Sequence, residues 1–80
     1  MRYILFVKEG CPYCTMAVQL MEEKKLNYRS IVFEPDQEIV LQEIKDVYDW
    51  STVPMIFYKN GSLTKFIGGY TDLLKEFENE

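Results

Sequence analysis

Five consecutive apolar side chains, Tyr3 to Val7, open the chain with no polar residue between them. A strand with one face in water would alternate, so an unbroken run reads as a strand buried on both faces. Burial on both faces requires helices above and below a sheet, which limits the chain to a layered α/β fold. Eighty residues leave room for one domain, spanning 1–80. A chain of this size buries about 60–65% of its unfolded surface. Its 48% of hydrophobic residues supplies the material for a filled core.

The first strand is expected over 2–8. Gly10 and Pro12 mark a sharp turn, with Pro12 near a helix start, where its missing N–H costs least. Apolar positions at Cys14, Ala17, Val18 and Met21 fall at i, i+3, i+4 and i+7 and predict a helix over 12–24. A second strand covers 27–33 and is ended by Pro35. Asp36 is placed to cap a second helix with an inward stripe of Val40, Leu41, Ile44, Val47 and Tyr48. A third strand covers 55–59, and Asn60-Gly61 signals a hairpin turn. The return strand, 63–67, alternates imperfectly, which anticipates a bulge or a longer turn. Gly68-Gly69 breaks the chain. Thr71 then stands to cap a last helix that turns Leu73, Leu74 and Phe77 inward. The order β-α-β-α-β-β-α gives a right-handed parallel unit followed by an antiparallel hairpin. The expected fold is α/β, a four-stranded mixed sheet with three flanking helices.

A formal charge of −4 argues against nucleic acid or an anionic membrane surface as partner. No apolar run approaches the roughly 20 residues needed to span a bilayer. The N-terminus has a charge before its apolar stretch, but that stretch is too short for a signal peptide and no small-residue cleavage site follows. The expected location is therefore cytoplasmic. There are two cysteines, Cys11 and Cys14. A bridge between them closes so small a loop that it removes little unfolded-state entropy, a poor structural use of the pair. Zinc needs more soft ligands than a chain with no histidine and no third cysteine offers, so no metal is expected. Redox chemistry remains.

Cys11-Pro12-Tyr13-Cys14 lies between a buried strand and a helix N-terminus. The free N–H groups and positive end of a helix favour a thiolate at Cys11, and Lys8 adds a positive charge three residues earlier. Cys14 sits on the inward stripe, sheltered and less acidic. That asymmetry assigns Cys11 to attack and Cys14 to resolve.

Lys-Glu-Gly-Cys-Pro-Tyr-Cys at 8–14 resembles the glutaredoxin active site, and two distant segments agree with it: Thr52-Val53-Pro54, and Gly68-Gly69-Tyr70-Thr71-Asp72 followed by leucine. The resemblance covers essentially the whole chain. It implies a thioredoxin-like fold and a glutathione-dependent oxidoreductase that reduces protein disulfides and glutathione mixed disulfides. Glutathione is then a co-substrate, and no tightly bound cofactor is implied.

Position by position, the resemblance makes Pro54 a cis proline facing the cysteines, with the Val53 backbone beside Thr52 as a strand edge for glutathione's cysteinyl unit. It makes Gly69, Tyr70, Thr71 and Asp72 the γ-glutamyl end, where backbone N–H groups take a carboxylate and the aspartate an ammonium. Tyr13 and Tyr70 flank the groove, and Lys8 reaches the glycine carboxylate. The chain departs from the family at one point. Many members place a cation just before Thr-Val-Pro to clamp that carboxylate, whereas this chain has Trp50-Ser51, with Lys8, Gln42 or Lys45 as substitutes. Trp50 is expected to pack at the groove rim. The implied partners are glutathione and oxidised or glutathionylated proteins, ribonucleotide reductase among them, acting on a monomer. Two rivals share the fold: a redoxin fed by thioredoxin reductase, and an iron–sulfur carrier using Cys11 and glutathione.

Overall fold

The computed structural model describes residues 1–78; Asn79 and Glu80, the end of the expected 1–80 domain, lie outside the described residues. Strand β1 (Arg2–Val7) leads into helix α1 (Pro12–Glu23) and strand β2 (Tyr28–Val32). A short 3-10 turn (Pro35–Gln37) precedes α2 (Glu38–Val47), followed by β3 (Met55–Asn60), β4 (Leu63–Gly68) and α3 (Tyr70–Glu78). The sheet order is β2-β1-β3-β4. β1 pairs parallel with β2 and antiparallel with β3, and β3 pairs antiparallel with β4. This is the mixed sheet expected.

The unbroken apolar run of β1 has its cause in the two layers. Leu5 and Val7 pack with Cys14, Ala17 and Met21 of α1, Ile56 of β3 and Leu73 of α3. Ile4 and Phe6 point to the opposite face, against Leu41 of α2 with Met55 and Phe57. Both halves of the strand's two-residue period are therefore consumed by core.

Both long helices close without glycine. Lys25, at φ 55°, and Asp49, at φ 51°, take the left-handed position after α1 and α2. Behind α1, Leu26 N–H donates to the Met21 carbonyl at 3.0 Å and Lys25 N–H to Glu22 at 3.1 Å. Behind α2, Trp50 N–H donates to Lys45 at 2.9 Å and Asp49 N–H to Asp46 at 3.2 Å. These are paired Schellman closures, and the second fixes where Trp50 leaves the helix.

Four local expectations need correction. Asp36 does not cap α2: it lies inside the 3-10 turn, where the Gln37 side-chain oxygen accepts from Glu34 N–H at 2.8 Å. The inward stripe of α2 is Leu41, Ile44 and Lys45, while Val40 and Val47 are exposed. At about 100° per residue those two valines lie roughly 100° and 120° round the helix from Leu41, beyond the narrow contact the sheet makes. Tyr48 remains half-exposed but packs its ring on Phe57 and Phe66. The hairpin loop is Gly61-Ser62, one residue later than expected, with Asn60 paired to Leu63 and Gly61 at φ 63°. Last, Thr71 lies inside α3, and Gly69 precedes the helix, its carbonyl accepting from Leu73 N–H. The anticipated bulge is present: Ile56 pairs with Gly68 and Phe57 with Phe66, leaving Ile67 extra.

Candidate active site

Gly10, at φ 72°, turns the chain out of β1 and sets Cys11 immediately before α1. Cys11 caps that helix with sulfur: its Sγ accepts from the backbone N–H of Cys14 at 3.2 Å. The helix supplies no acidic side chain in its first turn, so nothing there opposes negative charge on the sulfur. The Cys11 thiol also donates to the Val53 carbonyl at 3.8 Å. Val53-Pro54 is a cis peptide bond, as the resemblance implied. The thiol pair and the Thr52-Val53-Pro54 segment, 42 residues apart along the chain, therefore meet.

Cys14 faces the core and is 3% exposed. Burial, and after it the hydrogen bond with Cys11, pushes the Cys14 thiol up to about 12, against a smaller opposing pull from the Lys8 backbone. The inner thiol thus holds its proton until a reaction at Cys11 makes a leaving group available. Both cysteines are free thiols in the structure.

A groove of about 320 Å³ lies beside Cys11, lined by Tyr13, Trp50, Thr52, Val53, Pro54, Gly69, Tyr70 and Thr71. Tyr13 and Tyr70 face each other with ring centroids 6.2 Å apart. At the far end, Gly68 takes φ 122°, and a Cβ there would stand 2.6 Å from Asp72 Oδ2. That oxygen accepts from Gly69 N–H at 2.9 Å, so Asp72 braces the turn into α3. The first N–H groups of α3 have no partner within the helix and point out of its N-terminal end.

The structure does not bring Lys8 into the groove lining. Its ammonium pairs with Glu38 of α2. Gln42 donates to Asp46 at 2.9 Å, and Lys45 is buried under α2. Among the described residues no charged side chain lines the groove. Trp50 does line it, with its indole Nε1 buried and unpaired. Only its place at the departure from the family pattern marked it in the sequence.

A sulfur at a helix N-terminus, a shielded partner thiol behind it and a peptide-sized groove alongside define a thiol–disulfide oxidoreductase of thioredoxin-like fold. Comparison with known proteins narrows the class. Residues 4–63 match the sequence model of the Glutaredoxin family. Glutaredoxin-1 of Gallus gallus is 36% identical over 75 residues, covering 89% of this chain and 68% of its own length. The hybrid peroxiredoxin hyPrx5 of Haemophilus influenzae is 38% identical over 73 residues; the chain spans 28% of that protein's length. The crystal structure of a buckwheat glutaredoxin–glutathione complex has a TM-score of 0.80 at 23% identity, over 96% of this chain and 68% of its own, a likeness of fold. The chain belongs to the glutaredoxin family. The activity of such a domain is glutathione-dependent thiol–disulfide oxidoreduction, and Cys11 and Cys14 supply its Cys-x-x-Cys pair.

Proposed function

We propose that this domain reduces glutathionylated proteins and protein disulfides with glutathione, using Cys11 as nucleophile and Cys14 as resolving thiol. The observation that carries the reading is the unequal burial of two thiols joined at one helix N-terminus, one part-exposed and one facing the core.

With a glutathionylated protein, the Cys11 thiolate attacks the glutathione sulfur. A Cys11–glutathione disulfide forms and the protein thiolate leaves. A second glutathione thiolate attacks that disulfide, releasing glutathione disulfide and restoring Cys11. With a protein disulfide, Cys11 bonds to one sulfur and the other leaves. Cys14 then attacks Cys11 Sγ, its proton passes to the departing protein thiolate, and an internal disulfide forms for two glutathiones to reduce. Rates of both routes follow thiolate fraction and the acidity of the leaving thiol.

On this reading glutathione lies along the groove. Its cysteinyl unit lies against the Val53 backbone, its γ-glutamyl carboxylate at the N-terminus of α3, and Tyr13 and Tyr70 form the sides. Cytoplasm, where glutathione keeps thiols reduced, suits the reaction, and a monomer suffices for it. The alignment with a hybrid peroxiredoxin favours a thiol peroxidase among protein substrates; ribonucleotide reductase is a second protein disulfide this reaction would serve.

Glutathione-dependent reduction of a glutathionylated peptide, coupled to glutathione reductase, tests the reading. Parent and Cys14→Ser are expected to turn over and Cys11→Ser to be inactive, while Cys14→Ser loses reduction of protein disulfides. A Cys14→Ser variant that lost both activities equally would refute the division of roles. A parent reduced by thioredoxin reductase but not by glutathione would overturn the donor.

A further inference from the structure

The thiol chemistry leaves one edge of the sheet without a task. In the order β2-β1-β3-β4, the edges are β2 and β4. An exposed strand edge templates pairing, and proteins ordinarily guard it with lysine, proline, a bulge or a covering element. β4 has such guards: Lys65 stands within it, and Ile67 bulges from its register. β2 (Tyr28–Val32) has no lysine, no proline and an unbroken register with β1. Four of its five residues are exposed, Ile31 at 39% and Val32 at 43%. The direction of its main chain follows from the bonds at its two ends. Tyr3 N–H donates to the Asn27 carbonyl, and Phe33 N–H donates to the Val7 carbonyl. In the parallel register between them Arg29 and Ile31 also turn to β1, so Tyr28, Ser30 and Val32 direct their N–H and C=O groups off the sheet. Ser30 and Val32 also help Thr15, Val18 and Gln19 of α1 to line a mostly apolar cavity of about 280 Å³.

The charges along this segment select the occupant. From residue 24 to residue 38, the charged side chains before Ser30 are basic (Lys24, Lys25, Arg29) and those after it are acidic (Glu34, Asp36, Glu38). Lys24 lies over the Phe77 ring and Glu38 pairs with Lys8. That leaves Lys25 and Arg29 towards one end of the strand, with Glu34 and Asp36 towards the other. A parallel copy would set like charge on like, whereas an antiparallel copy sets each end against its opposite. We propose that the free edge of β2 pairs antiparallel with β2 of a second copy of this chain, Ser30 opposite Ser30 across a two-fold axis. Each Tyr28 then lies opposite Val32 of the other copy. The outward residues of the two strands exchange about six N–H···O bonds, and two sheets become one. Cys11, Val53 and the groove lie towards β3 and α3, away from β2, so each copy keeps a complete site.

Sedimentation equilibrium of the parent, from about 10 μM to about 1 mM, is expected to show a mass that climbs towards twice that of one chain. Ser30→Lys sets two ammonium groups opposite each other at the axis while leaving the pairing with β1 intact. It is expected to weaken association roughly tenfold or more and to keep the parent's turnover. In the parent, the amide protons of Ser30 and Val32 are expected to exchange with water more slowly as concentration rises. A parent at single-chain mass throughout the range overturns the proposal. Association that Ser30→Lys leaves unchanged, with both amides still in rapid exchange, overturns it too, because the contact then lies elsewhere. If Ser30→Lys folds poorly, the concentration dependence of those two amides decides by itself.

Discussion

Residue by residue, Cys14 carries the sharpest consequence. Its thiol is held up near 12 in the fold against 9.0 for a free thiol, chiefly by burial. Between those values the folded protein keeps a proton that the unfolded chain has given up. The unfolded state binds fewer protons there, so stability falls as pH rises from about 9 towards 12 and is complete below 9. Urea midpoints across that range are expected to drop in the parent and to flatten in Cys14→Ser. Ser51 offers a second prediction. Ser51→Arg restores a cation before Thr52, and the KM for the glutathionylated peptide is expected to fall and to become sensitive to salt. Which of the two sulfurs faces inward was legible in the sequence, because a strand, a turn and a helical stripe fix it. The engagement of Lys8 by Glu38, 30 residues away, was not. Charges three residues apart can be counted along a chain, but a partner on another layer cannot.

Elements were legible where periodicity and punctuation agreed and were misplaced where the chain used unfamiliar residues. Asp36 and Thr71 look like helix caps, yet Gln37 and Asp72 make the hydrogen bonds at those sites. Lys25 and Asp49 end their helices in a conformation usually given to glycine, so the closing turns left no compositional mark. Asp49→Gly is expected to raise stability by up to about 1 kcal/mol, the relief of left-handed backbone offset by added freedom in the unfolded chain. Gly68→Ala should do the reverse. Its Cβ would strike Asp72 Oδ2, and at φ 122° the backbone is closed to alanine. A loss of about 1–3 kcal/mol is expected, with release of the Gly69 brace. Thermal or urea unfolding checks both variants.

For the whole molecule, the sheet divides the core unequally. Among the described residues, the buried clusters hold seven on the side of α1 and α3 and three on the side of α2. Leu41 is the one buried apolar residue that α2 contributes. Leu41→Ala is therefore expected to cost about 2–5 kcal/mol. Amide exchange should show α2 losing protection before α1. The mixed sheet and its layering were readable from Tyr3–Val7 and the helix spacings. The thinness of the α2 contact was not, since an apolar residue at helical spacing reads the same whether the sheet reaches it or stops short. The depth of Cys14 also sets a kinetic rule. With one sulfur inside and one outside, every electron pair enters and leaves by Cys11. Oxidant and reductant must take turns there, and no complex can hold both. Double-reciprocal plots against glutathione at several concentrations of glutathionylated peptide should be parallel lines, the mark of a ping-pong enzyme.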